Sequence, residues 1–173
     1  MILAFVEFTS FKRLDRNLQS RMKERFKIIP EVFLLLVDDG KILLSRRFQT
    51  GYEDGNYGLP GGHGEDKETM REGAAREALE EIALNIELDD LEFVLTQHRW
   101  CDDPGNPHAR VGFYFVPKNW KGEPTNMEPD RCDDLSWFPL SNLPTNTIGH
   151  IRAAIDDYRK GVHYTEHGWP TKI

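Results

Sequence analysis

Cysteine is scarce: Cys101 and Cys132 are the only two in 173 residues. Two thiols cannot build a disulfide framework, and they suit a reducing compartment. Long hydrophobic runs are missing as well. No stretch approaches the ~20 apolar residues that a membrane helix needs, and mean hydropathy is −0.58. The apolar start, residues 1–6, is too short for a secretory core and has no basic residue ahead of it. A cytoplasmic protein without a membrane partner is expected. Basic charge is also in deficit, with 22 Lys+Arg against 29 Asp+Glu and a net charge of −7. A polymeric nucleic acid as partner would call for a basic stripe, although a small phosphorylated ligand is not excluded. No internal repeat or low-complexity tract occurs. What the chain does have is 39% hydrophobic residues, enough for one real core.

The patterning divides the chain into an extension at 1–27, a domain at 28–160 and a tail at 161–173. Within 9–27, Phe11, Leu14, Leu18 and Met22 recur at helical spacing and predict a short amphipathic helix. Apolar runs at 31–37 and 42–48 flank Asp38-Asp39-Gly40 and read as a β-hairpin. Residues 49–66 hold six glycines and Pro60, so a loop with one short strand is expected. The main helix falls at 68–84. Strands are expected at 91–95, 110–116 and 135–138, with a loop over 102–107. A second helix at 147–160 would present Ile148, Ile151, Ala154, Ile155 and Tyr158 on one face. The tail either packs through Trp169 or stays loose. Strand pairs around a central helix, with a helix near the end, define an α+β domain layered α/β/α.

The informative stretch is Gly61-Gly62-His63-Gly64-Glu65-Asp66-Lys67-Glu68, followed by Arg76-Glu77-Ala78-Leu79-Glu80-Glu81. On a helix Glu77, Glu80 and Glu81 share a face, with Ala75, Ala78, Leu79 and Ile82 opposite as the core stripe. Like charges three or four residues apart repel by a few tenths of a kcal/mol each, about 0.2–0.5. A hard divalent cation turns that repulsion into binding, since Mg²⁺ takes a few carboxylates together with waters and phosphate oxygens. A solvated acidic face is the bland alternative. Gly61 and Gly62 ahead of the helix, where backbone can approach a ligand, and Arg76 within reach of Glu68 argue for the functional one.

With these residues the sequence resembles the Nudix (MutT-like) hydrolases, whose signature is G-x5-E-x7-R-E-U-x-E-E-x-G-U, U being a bulky aliphatic. The chain matches at Gly62, Glu68, Arg76, Glu77, Glu80 and Glu81, and departs at Ala78, small for U, and Ala83, which replaces the closing glycine. The resemblance implies an α/β/α sandwich around a mixed, curved β-sheet, and a Mg²⁺-dependent enzyme, with Mn²⁺ as substitute. It implies metal ligation by Glu77, Glu80 and Glu81 with the Gly62 carbonyl, and a structural pairing of Glu68 with Arg76. The run Trp120-Lys121-Gly122-Glu123-Pro124 before Glu128 is similar to the segment that returns a further carboxylate to the metal. Glu128 is therefore an outer ligand or base, and Glu77 the alternative base.

The resemblance also implies hydrolysis of a nucleoside diphosphate linked to another group. The favoured substrate is a nucleoside triphosphate, oxidised nucleotides included, cut to monophosphate and pyrophosphate. The alternatives are an ADP-ribose or nucleoside diphosphate sugar pyrophosphatase, or a non-catalytic nucleotide-binding module. Arg46 and Arg47 alternate on a strand, and Arg47 is the candidate for substrate phosphate or base. Asn146 either meets a purine edge or caps the last helix. Phe48, Tyr52 and Tyr57 either stack on a base or cap a core. His63 and His98 have no spacing partner. His98, Cys101, His108 and Cys132 lack the paired spacing of a zinc site. The loosely alternating Ile2, Leu3, Phe5, Val6 and Phe8 could add an edge strand at a homodimer contact.

Overall fold

A computed structural model describes residues 26–102 and 108–171. The expected helix within 9–27 and the edge strand at the start therefore lie outside the described residues, apart from Phe26 and Lys27, which belong to no helix or strand.

The most apolar segment opens in an interior strand of the larger sheet. β1 (Ile28–Leu34) pairs antiparallel with β5 (Gly61–His63) and parallel with β7 (His108–Pro117). β7 pairs antiparallel with β6 (Leu91–Cys101), which carries β9 (Tyr164–His167) in parallel on its far side. The result is a mixed five-stranded sheet in the order β5-β1-β7-β6-β9. A strand covered on both faces reads as a continuous apolar run, and β1 and its exit are covered in this way. Val32, Leu34 and Leu36 join one core with Ala74, Ala78 and Ile82 of α1 (Met70–Ile82). Phe33 and Leu35 join the other with Ile151, Ala154 and Ile155 of α2 (Gly149–Arg159). The α/β/α sandwich stands.

The expected hairpin is much smaller than its apolar runs. Only β2 (Val37–Asp38) and β3 (Lys41–Arg47) form it, around Asp39 and Gly40 at φ 44° and 71°, the left-handed values of a two-residue turn. The first run instead crosses between sheets: the Leu35 N–H donates to the Phe115 carbonyl and the Leu36 carbonyl accepts from Leu43. β3 then centres a second sheet with β2, β4 (Tyr57–Gly58) and β8 (Cys132–Pro139). Residues 49–66 thus hold two short strands rather than one. Strand β6 runs to Cys101, well past 95, with a register shift at Phe93/Leu95, and β8 starts at Cys132. The tail is packed: β9 joins the sheet, and Trp169 donates its Nε1–H to the His98 carbonyl at 3.0 Å while its ring lies against His98 and Trp100.

Thr69 and Glu72 close a capping box at the start of α1. The helix ends at Ala83, at φ 57° and ψ 24°, a left-handed residue. The expected core stripe needs correction. Leu79 is exposed and Ala75 only half-buried, while Gly73, Ala74, Ala78 and Ile82 face the sheet. Glu77 is buried beside this stripe rather than lying opposite it.

Candidate active site

Helix α1, strand β5 and the turn before β8 enclose a cavity of about 510 Å³. One wall is acidic, with Glu77, Glu80 and Glu81 from successive turns of α1 and Glu128 from the turn at 128–131. The same lining carries basic residues: Arg46 and Arg47 end β3, and Arg131 precedes β8.

The backbone of β5 is pressed against the carboxylates. A Cβ on Gly62 would lie 2.5 Å from Glu77 Oε1, so any other residue there would push this carboxylate aside. The Gly61 N–H donates to Glu81 Oε2 at 2.8 Å. The loop between β5 and α1 is tied down by a fork: Arg76 Nε and Nη2 donate to the two Glu68 oxygens at 3.1 and 2.9 Å. Its Nη2 also reaches the His63 carbonyl, and its Nη1 reaches Glu77 Oε1 at 2.8 Å and Glu80 Oε2 at 3.1 Å. Glu68 and Arg76 thereby hold loop and helix in register. These contacts keep the Glu68 carboxyl below its ordinary range.

The acidic wall is electrostatically uncomfortable as it stands. Burial pushes Glu81 up to about 8, against the pull of the Gly61 N–H and with the help of the Glu77 and Glu128 charges. Burial also raises Glu77, outweighing Arg76. The three carboxylates are hard oxygen ligands of the kind that suits a cation retaining waters and phosphate oxygens, while the Arg76 guanidinium holds two of them in place. Among the described residues, no three acidic, histidine or cysteine side chains are gathered closely enough to hold a metal ion.

The other expected residues are placed unequally. Glu128 borders the cavity, and its carbonyl accepts from the Arg131 and Cys132 N–H groups. Arg47 borders it too, with Nε donating to the Tyr52 carbonyl at 2.7 Å and the guanidinium over the Tyr52 ring. Arg46 also borders it but is held by Asp133 at 2.7 Å. Asn146 is outside the cavity lining, its amide donating to the Gly55 carbonyl at 2.7 Å. It does not cap α2 either, because Ile148 holds the N-cap position and no side chain bonds there. Tyr57 is a core residue, edge-on to Phe138 with its hydroxyl on Asp134. Cys132 lines the cavity while His98 packs on Trp169, so these two do not share a site. Arg131 went unnoticed in the sequence, and Arg46 was passed over in favour of Arg47. Arg131 had a signal there, as a cation three residues after Glu128.

The comparison with known families fits this geometry. The NUDIX domain family matches residues 28–158, and the chain belongs to the Nudix hydrolases. It is 31% identical over 137 residues to the NAD-capped RNA hydrolase NudC of Pseudomonas entomophila, covering 76% of this chain and 45% of that protein. The chain thus spans under half the length of this relative. A nucleoside triphosphate pyrophosphatase/Nudix hydrolase fusion protein of Bifidobacterium longum is 30% identical over 107 residues, 62% of this chain and 21% of that one. Among solved structures, a MutT NUDIX hydrolase from Burkholderia pseudomallei superposes with TM-score 0.67 at 29% identity, covering 75% of this chain and 97% of that chain.

Proposed function

We propose that the chain is a Mg²⁺-dependent pyrophosphohydrolase cutting a nucleoside triphosphate, oxidised nucleotides included, into monophosphate and pyrophosphate. The observation that carries this reading is one cavity whose lining brings together four carboxylates, Glu77, Glu80, Glu81 and Glu128, and three guanidiniums, Arg46, Arg47 and Arg131. That mixture of charges matches a polyphosphate held by a cation on the carboxylates and by arginine forks. Glu77, Glu80 and Glu81, with the Gly62 carbonyl and Glu128 further out, are the residues to hold the ion. When bound, such an ion neutralises phosphate charge and lowers the pKa of water.

The protein's own part is positional. The Gly61 N–H orients Glu81, while Arg76 fixes Glu77 and Glu80 and anchors the loop through Glu68. A carboxylate of Glu128 or Glu77 takes the proton of the attacking water. Arg47 steadies the phosphate chain.

A second reading is a pyrophosphatase for substrates with a diphosphate esterified at both ends, such as ADP-ribose or a nucleoside diphosphate sugar. The likeness to an NAD-capped RNA hydrolase favours it. A substrate panel separates the readings: free pyrophosphate marks the first and paired monophosphates the second. Nucleotide binding with no turnover in Mg²⁺ or Mn²⁺ would leave only a binding module.

A further inference from the structure

Three guanidiniums border the cavity, and they are not equivalent. Arg46 is committed to Asp133 at 2.7 Å and lies over the Tyr57 ring, 5.9 Å from its centroid. Arg47 is tethered through Nε to the Tyr52 carbonyl and lies over the Tyr52 ring. Among the described residues Arg131 has no side-chain hydrogen bond or ion pair, although its backbone is firmly placed. Its N–H donates to the Glu128 carbonyl at 2.9 Å, and its carbonyl accepts from the Phe48 N–H at 2.8 Å. The turn that carries Glu128 therefore carries Arg131 as well, stapled to the strand end that carries Arg47. The Cα positions of Arg47 and Cys132 are partners across the two strands, so Arg131 stands next to Arg47 on the rim.

We propose that Arg131 grips the outermost phosphate of the substrate, and so discriminates a polyphosphate with a free end from a diphosphate esterified at both ends. The physical case is that an uncommitted fork at a cavity rim has all its donors available for bidentate phosphate binding. The two tethered arginines have donors or faces already engaged. A terminal phosphate offers three non-bridging oxygens and an additional negative charge to a group at the rim, whereas each phosphate of a doubly esterified diphosphate offers two oxygens and a single charge. The proposal rests on the pyrophosphohydrolase reading for its substrate, but the anion site itself can be tested without turnover.

The test compares wild type with Arg131→Gln and Arg131→Lys in two assays. In the first, kcat/KM for a nucleoside triphosphate is divided by that for ADP-ribose. Arg131→Gln should lower this ratio about tenfold or more, as loss of a charged hydrogen bond does, chiefly through KM for the triphosphate. Arg131→Lys should recover part of it. In the second, calorimetry measures inorganic tripolyphosphate and adenosine monophosphate binding with Mg²⁺ present, and only tripolyphosphate should weaken by a similar factor. A ratio and a tripolyphosphate affinity both within twofold of wild type would overturn the proposal, as would equal weakening of both ligands. A wild type that cleaves only doubly esterified diphosphates, yet binds tripolyphosphate through Arg131, would remove the triphosphate reading and retain the anion anchor.

Discussion

Glu81 concentrates the site's chemistry in one side chain. It is packed beside the α1 core, accepts one backbone N–H and faces two other carboxylates. Without a cation, its folded-state pKa of about 8 lies above the ordinary 4.5, so the native state binds more protons than the unfolded chain between those values. Stability must then fall as pH rises from 4.5 towards 8. His150 acts in the opposite direction. Burial, with the Arg99 charge, holds its imidazole down at about 3, so stability declines as pH falls from 6.5. Thermal melts in chelator should show both limbs. Saturating Mg²⁺ should flatten the alkaline limb, because the ion binds the deprotonated cluster and releases protons. An alkaline limb equally steep with Mg²⁺ would remove the metal from the acidic wall. Glu81→Gln mimics the protonated side chain: it should erase that limb in chelator and cut Mg²⁺-dependent turnover by about 100-fold or more. Near-normal turnover in this variant would remove Glu81 from the ligand set. The same residue shows how far the sequence could be read. Glu77, Glu80 and Glu81 were legible as one helical face from spacing alone. The burial of Glu77 beside the core stripe was not, because it depends on how close glycines 61 and 62 let strand β5 approach.

At the scale of elements, α1 illustrates local signals that are followed closely and one that is violated. Thr69 and Glu72 start the helix as capping chemistry requires. Its end falls on Ala83 at φ 57°, where family members carry glycine, and an L-residue in this region is strained by roughly 1–2 kcal/mol. Ala83→Gly should relieve that strain, offset by the greater freedom of glycine in the unfolded chain, for a net gain of about 0.5–1 kcal/mol. Urea midpoints would check it, and a lower midpoint would mean that Ala83 is held by packing rather than tolerated. Ala78, the other departure from the signature, is fully buried in the core of α1. A larger aliphatic side chain at that position would have to find room in the core shared with Val32 and Leu34. The hairpin was overestimated for a related reason. Asp39-Gly40 fixed the turn, but an apolar run buried on both faces carries no mark of the strand it will pair with. Leu35 and Leu36 therefore served two sheets.

For the whole molecule, the long-range pairings are what sequence order concealed: β1 beside β7, β9 beside β6, and β3 beside β8. A buried ionic cluster now crosses three of these strands. Glu31 of β1 accepts from Arg99 Nη2 at 2.7 Å and from Arg110, and Arg110 Nη1 lies 2.9 Å from His63 Nε2 on β5. The Glu31 and Arg99 side chains are each only 6% exposed. Removing one member of such a pair leaves an uncompensated charge, at a cost of about 3–5 kcal/mol. Glu31→Gln, which strands two guanidiniums around one neutral amide, should lower stability by about 3 kcal/mol or more. Adding Arg99→Met should recover part of the loss, because an apolar side chain of similar length replaces a buried cation. Because β1 flanks β5, and β5 carries Gly61 and Gly62 to the carboxylates, the single variant should also weaken Mg²⁺-dependent stabilisation. Denaturant midpoints with and without Mg²⁺ measure both effects. A Glu31→Gln variant as stable as wild type would show that the cluster is solvated in solution and that apolar packing alone holds the sheet in register.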